Sequence, residues 1–152
     1  MRCVVQRSGP ARVTVDGQVT GAIESGLVVL AGFGPGDTET ELAWMARKLP
    51  RLRIFRDDED RMNRSLLDVG GGILLVSQFT LYGDCRKGQR PSFVGSAPSA
   101  EAQALYIRFG ELLRAEGPEI QEGVFGAMMD VSLTNDGPVT LILEREAAVG
   151  DV

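Results

Sequence analysis

Histidine does not occur anywhere in this 152-residue chain. That absence removes Ser-His-Asp and Cys-His catalysis, the commonest metal ligand, and the side chain that usually serves as general base near neutral pH. Any chemistry must come from hydroxyls, backbone N–H groups, carboxylates, lysine, or groups on the substrate itself. Cysteine is scarce as well. Cys3 and Cys85 are too few for a disulfide scaffold or a thiolate metal site, and both read as reduced and structural. No apolar run approaches the roughly 20 residues that span a bilayer. The opening Met1-Arg2-Cys3-Val4-Val5-Gln6-Arg7 has neither a signal-peptide core nor a small-residue cleavage site. No membrane partner is expected, and the cytoplasm is the default location. Basic residues are a minority, 16 against 21 acidic, for a net charge of −5. Such a balance argues against a general nucleic-acid coat, and DNA is not an expected partner, but it leaves room for a local patch such as Arg86, Lys87 and Arg90.

What is present suffices for one core. With 43% hydrophobic residues over this length, a single domain over residues 1–152 is expected. Arg2 to Arg7 and Arg12 to Val15 read as two strands separated by Ser8-Gly9-Pro10, with a second turn at Asp16-Gly17. Another strand follows at about Gln18 to Ile23, and Leu27 to Phe33 is a buried one ending in a Gly-Pro-Gly loop. Thr38 and Glu41 form a capping box for a helix running to about Lys48, with Leu42, Met45, Ala46 and Leu49 on one face. A second helix is expected from about Ser99 to Ala115, stopped by Gly117-Pro118. After it, a strand passes through Val124, Phe125 and Gly126. The acidic run Asp57-Asp58-Glu59-Asp60 lacks the alternating ligands, central glycine and closing glutamate of a calcium loop. It reads as a solvated hairpin tip, and no metal site is expected. Gly70-Gly71-Gly72 lacks the Gly-Lys-Ser/Thr and the helix of a phosphate-binding loop, so it reads as a turn.

Two stretches break these rules. In Leu74-Leu75-Val76-Ser77-Gln78-Phe79-Thr80-Leu81-Tyr82-Gly83-Asp84 an aliphatic strand, covered on both faces, gives way to hydroxyls and an amide. A buried polar group without a partner costs about 1–3 kcal/mol, so Ser77, Gln78 and Thr80 imply either a satisfied network or a binding site. The second stretch, Val131 to Leu143, reads as strand, tight turn, strand, with Asn135-Asp136-Gly137 as the turn and Pro138 fixing its own φ. The residues alone leave the isomer of the Gly137-Pro138 bond open.

These two stretches carry a resemblance. The chain is similar to the D-aminoacyl-tRNA deacylases, whose signatures Ser-Gln-Phe-Thr and Asn-x-Gly-Pro-Val-Thr stand complete at Ser77–Thr80 and Asn135–Thr140. Val13-Thr14-Val15-Asp16-Gly17, Leu52-Arg53-Ile54-Phe55, Ser65-Leu66-Leu67-Asp68-Val69 and Arg86-Lys87-Gly88 match in the same order. The resemblance implies a mixed α/β fold in three layers (α/β/β), with curved, largely antiparallel sheets and two main helices. It also implies a homodimer, no cofactor, and hydrolysis of the ester between a D-amino acid, or mischarged glycine, and the 3′-terminal adenosine of tRNA.

Site roles follow from that resemblance together with the chemistry of the residues. Backbone N–H groups near Gln78, Phe79 and Thr80 are candidate oxyanion donors, Ser77 completes the motif, and Thr80 positions groups or acts as nucleophile. Gly137 and Pro138 are implied to enter the partner subunit's pocket and exclude L-amino acids there. Arg7 is either a brace for that loop or a surface residue. Phe125 and Met129, before Phe79, are candidates for contact with the terminal adenine, and Arg86 and Lys87 for phosphate contact. A non-catalytic tRNA 3′-end-binding protein and a trans-acting editing module remain the alternatives.

Overall fold

The chain begins as one long strand, β1 (Arg2–Val15), where two were expected. The Ser8-Gly9-Pro10 segment shifts the pairing register without ending the strand. An Asp16-Gly17 turn, both residues at positive φ, reverses the chain into β2 (Gln18–Ile23), which pairs antiparallel with the second half of β1. The aliphatic β3 (Gly26–Gly32) then pairs antiparallel with the first half. In this computed structural model the described residues are 1–148.

Helix α1 (Glu39–Lys48) starts at Thr38 with both hydrogen bonds of the expected capping box in place, and it buries Leu42, Met45 and Ala46. The acidic run is the tip of a small hairpin, β4 (Phe55–Arg56) with β5 (Met62–Arg64). There the Asp57 carboxylate accepts from the Glu59 and Arg61 N–H groups and from Asn63. A short helix, α2 (Leu66–Val69), was not expected. Its signal is a second capping box, Ser65 with Asp68, before a left-handed Gly70.

The central strand β6 (Gly72–Ser77) pairs parallel with β3 on one side and with β7 (Glu119–Glu122) on the other. Helix α3 (Ser99–Ala115) supplies the crossover between β6 and β7. Pairing is largely antiparallel, as expected, with the parallel pairs confined to the two neighbours of β6. The reason for the parallel pairs is visible in the residues: β3 and β6 are almost continuously aliphatic and buried, the pattern of strands covered on both faces. Leu27, Val29, Ile73 and Leu75 face the helices, with Phe109, Leu113 and Met45. Val28, Leu74 and Val76 face the concave side, with Val13, Ile23 and Ala11.

The last strand, β8 (Asp130–Glu144), runs antiparallel to β1 along its whole length. Its middle is not the expected turn between two strands. Gln6 faces Thr140 and Ser8 faces Asn135, so residues 136–139 bulge out of a continuous pairing. Val124 to Gly126 forms a turn after β7 where a strand was expected. The domain is a mixed α/β unit with a sheet curled towards a barrel and, among the described residues, three α-helices.

The chain's start is pinned inside this frame. The Met1 ammonium is buried and donates to the Asp37 carboxylate at 2.7 Å and to the Arg145 carbonyl at 2.6 Å. Cys3 is buried too, and desolvation pushes its thiol up to about 12. Cys85 is exposed, so the structural reading fails for it.

Candidate active site

Parallel pairing of β3 with β6 brings two strand ends to the same rim, the usual place for a ligand crevice in such sheets. Ala31 pairs with Ser77. Beyond them the chain from Phe79 to Tyr82 forms a tight 3-10 turn. A cleft of about 680 Å³ opens here between the turn, the start of α3 and the loop after β7. Ser77, Gln78, Phe79 and Thr80 line it from one side, and Phe125 and Met129 from another. Phe33, Ser99, Met128 and Val131 complete its wall and were not foreseen. Only the parallel register of β3 could have shown that Ala31-Gly32-Phe33 ends beside Ser77.

The hydrogen bonds decide which donors remain for a ligand. The Gln78 N–H is committed to the Ala31 carbonyl at 2.8 Å, so it leaves the set of candidate oxyanion donors. Within the turn, Leu81 N–H donates to Gln78 and Gly83 N–H to Thr80. The Phe79 and Thr80 N–H groups precede the first of these bonds and have no acceptor inside the turn. The side-chain amide of Gln78 donates to Thr80 Oγ1. A hydroxyl that accepts this bond is oriented and made less electron-rich, while its own proton stays free to donate. Phe79 is largely exposed and meets Phe93 edge to face, with ring centroids 5.2 Å apart. Phe125 leans on Tyr106, whose hydroxyl donates to the Leu75 carbonyl at 3.1 Å.

No carboxylate, amine, guanidinium or thiol is among the described residues lining this cleft. Gly32 has a steric reason to be glycine, since a Cβ there would come within 2.8 Å of the Gln78 carbonyl oxygen.

The second motif lies elsewhere. Gly137 and Pro138 are exposed and do not line the cleft. Their peptide bond is cis. Asn135 closes the base of this bulge. Its Oδ1 accepts from Val139 N–H at 2.7 Å, and its Nδ2 donates to Thr140 Oγ1 at 2.9 Å. Gly137 sits at φ +145°, where a Cβ would fall 2.8 Å from the Val139 backbone nitrogen. Arg7 is 2% exposed. It donates through Nε to the Asp136 carbonyl at 2.9 Å and through Nη1 to the Ile54 carbonyl at 2.6 Å. The open choice for Arg7 resolves to a brace under the bulge; it makes no part of the cleft wall.

Arg86 and Lys87 do not line the cleft either. Arg86 lines an adjoining cavity and holds the Asp84 carboxyl at about 2 by donating hydrogen bonds to it. Lys87 is exposed beside it. Among the described residues no group of three or more Cys, Asp or Glu could hold a metal ion, and no helix is long and apolar enough to cross a membrane.

Comparison with known proteins gives a consistent result. The model of the family described as D-Tyr-tRNA(Tyr) deacylase matches residues 4–144. A D-aminoacyl-tRNA deacylase of Thermus aquaticus is 56% identical, with 99% of each chain covered. That of Chlorobaculum parvum is 61% identical over 95% of this chain and 97% of the other. Among solved structures, a c-Myc DNA unwinding element binding protein superposes with a TM-score of 0.91 at 43% identity, covering 97% of this chain and all of the other. A protein described as a probable eukaryotic D-amino acid tRNA deacylase superposes with a TM-score of 0.81 at 20% identity over 93% of this chain and 97% of the other, a likeness of fold.

Proposed function

The chain belongs to the D-aminoacyl-tRNA deacylase family, and from that premise we propose how it acts. It hydrolyses the ester joining a D-amino acid, or a mischarged glycine, to the 3′-terminal adenosine of tRNA. Water adds to the ester carbonyl, the bond to the ribose oxygen breaks, and the free amino acid and uncharged tRNA leave. The observation that carries this reading is the pair of uncommitted N–H groups of Phe79 and Thr80 beside an apolar cleft. They suit the oxygen that becomes negative as water adds, and loss of one such donor in a hydrolase costs about 10²–10³ in rate.

Thr80 positions rather than attacks. No base adjoins its hydroxyl, and Gln78 donates to it. Its proton points a water or the substrate's amino group. The neighbouring 2′-hydroxyl of the terminal ribose assists the water, which makes the reaction partly RNA-assisted. Phe125 and Met129 hold the adenine, with Phe79 at the entrance. Arg86 and Lys87 meet phosphates outside the cleft.

Chirality is read by a second subunit. The exposed Gly137-Pro138 tip enters the partner's cleft and presents backbone carbonyls towards the α-carbon. An L side chain collides there, a D side chain points outward, and glycine has nothing to exclude. Homodimerisation is thus a requirement for activity, and the cytoplasm, where charged tRNA is found, is the place of action.

The experiment is deacylation of D-tyrosyl-tRNA and L-tyrosyl-tRNA side by side with chelator present. The D ester alone is expected to be lost at catalytic enzyme concentration, and more slowly on a 2′-deoxy terminal adenosine. Binding of tRNA with neither ester cleaved would instead support an RNA-end-binding protein. Cleavage only alongside a synthetase would support a trans-acting editing module. The pH profile gives an independent check. With no titratable side chain on the cleft wall, the rate is expected to follow hydroxide and the substrate's α-amino group, which titrates near 7.7–8.0 in model compounds. A bell-shaped profile with an enzyme base near neutrality would contradict this mechanism.

The name of the DNA unwinding element binding protein concerns that protein. A net charge of −5 gives a DNA-binding reading of this chain little electrostatic support.

A further inference from the structure

We propose that Arg2 is a positioning residue for the ester-hydrolysing turn, holding the Phe79–Tyr82 segment from behind. This rests on the deacylase reading above and adds to it a residue that touches no substrate.

A four-residue 3-10 turn has strained hydrogen-bond geometry and little internal support. Its two free N–H groups keep their aim only if something outside the turn fixes its far end. Arg2 lies on the other side of the turn from the cleft and is not part of the cleft wall. Its Nη1 donates to the Leu81 carbonyl at 3.2 Å, and its guanidinium stacks 4.4 Å from the centre of the Tyr82 ring. One side chain thus grips two successive residues of the turn, by a charge-assisted hydrogen bond and by a cation over an aromatic face.

The surroundings fix the guanidinium in turn. Glu144 approaches Nε at 3.3 Å and Glu146 approaches Nη2 at 3.7 Å, both as ion pairs. Nε itself is buried and makes no hydrogen bond of good angle. The Tyr82 ring is seated on Gly34, where a Cβ would lie 2.9 Å from the Tyr82 hydroxyl oxygen. Arg2 also follows directly on the buried, ion-paired Met1, and its backbone is paired on both sides, with Gly32 and Glu144. Sheet, arginine and turn form one chain of contacts ending at the Phe79 and Thr80 N–H groups.

Lysine cannot reproduce this arrangement, because an ammonium is a point charge without the planar fork that donates and stacks at once. Misplacement of reacting groups by about 1 Å costs about 100-fold in rate. Single-turnover deacylation of D-tyrosyl-tRNA is therefore expected to slow by about that factor in Arg2→Met, with substrate affinity and preference for D over L unchanged. Amide hydrogen exchange at Leu81 and Gly83 is expected to accelerate in the same variant, while exchange within β6 stays as in the wild type.

A wild-type rate constant in Arg2→Met would overturn the proposal. So would a loss explained entirely by a smaller folded fraction, with exchange at Leu81 and Gly83 unaltered. Should Arg2→Met fail to fold, Arg2→Lys takes its place, and the same rate and exchange outcomes support or overturn the brace. A wild-type protein inactive on D-tyrosyl-tRNA would count against the deacylase reading alone, and the exchange measurement would still decide whether Arg2 braces the turn.

Discussion

Replacing Asp37 with alanine is expected to cost about 3–5 kcal/mol of stability, the penalty for removing one partner of a buried ion pair. Asp37 is the only carboxylate in contact with the Met1 ammonium among the described residues, and both groups are withdrawn from water. The same carboxylate accepts from the Gly34 N–H at 2.7 Å through its other oxygen. Alanine therefore leaves the buried ammonium with the Arg145 carbonyl but no counter-charge, and the Gly34 N–H without its acceptor. At roughly 2–4 °C per kcal/mol for a domain of this size, thermal melting should fall by about 10 °C. Asp37→Asn separates the two losses, because the amide oxygen still accepts a hydrogen bond while the charge is gone. Added salt should do little to the difference between variants, since a buried pair is poorly screened. A melting temperature unchanged by Asp37→Ala would mean that the ammonium finds water or another partner.

Arg7→Lys is expected to separate catalysis from folding. The Arg7 guanidinium ties two distant segments, Ile54 before the small hairpin and Asp136 in the bulge, and its Nε also approaches the Asp136 carboxylate at 3.4 Å. A lysine at 2% exposure keeps the charge and loses the fork, leaving one buried carbonyl without a donor at about 1–3 kcal/mol. The larger effect is expected at the exposed Gly137-Pro138 tip, which the proposed mechanism seats in a second subunit's cleft. A shift of about 1 Å in Gly137-Pro138 should lower D-tyrosyl-tRNA deacylation by about 100-fold. It should also narrow the gap between D and L substrates, which a simple loss of stability would leave alone. Melting curves and the ratio of D to L rates, measured on the same preparation, distinguish the two. An unchanged ratio with a lowered melting temperature would reduce Arg7 to a packing residue.

The two motifs are legible to different degrees. Ser77–Thr80 stands out because polar groups follow a strand that is apolar on both faces, and the cleft is where that break occurs. Asn135–Thr140 reads as a turn between strands because Asn-Asp-Gly-Pro carries ordinary turn chemistry. What overrules that pattern is long-range: β1 supplies a partner on both sides of the bulge, and Asn135 bonds across its base instead of reversing the chain. The same partner merges Arg2 to Arg7 and Arg12 to Val15 into one strand. The choice of candidate oxyanion donors depends likewise on a contact no local pattern contains, the Gln78 N–H bond to Ala31 across the parallel pair. Helix faces, by contrast, follow from spacing alone, and Leu42, Met45, Ala46 and Leu49 are all buried as expected.

The pairing of β1 with β8 also sets a clock. Arg2 lies opposite Glu144, so β1, which is made before the other described strands, finds its outer neighbour only when β8 has emerged. At about 5–20 residues per second, that wait is on the order of ten seconds. Throughout it one edge of β1 is bare, with unpaired backbone groups that can recruit the wrong strand. Arg7 waits as long for Asp136. The cleft wall reaches Met129 and Val131 and the bulge follows at residues 136–139, so cleft and tip are both completed late and almost together.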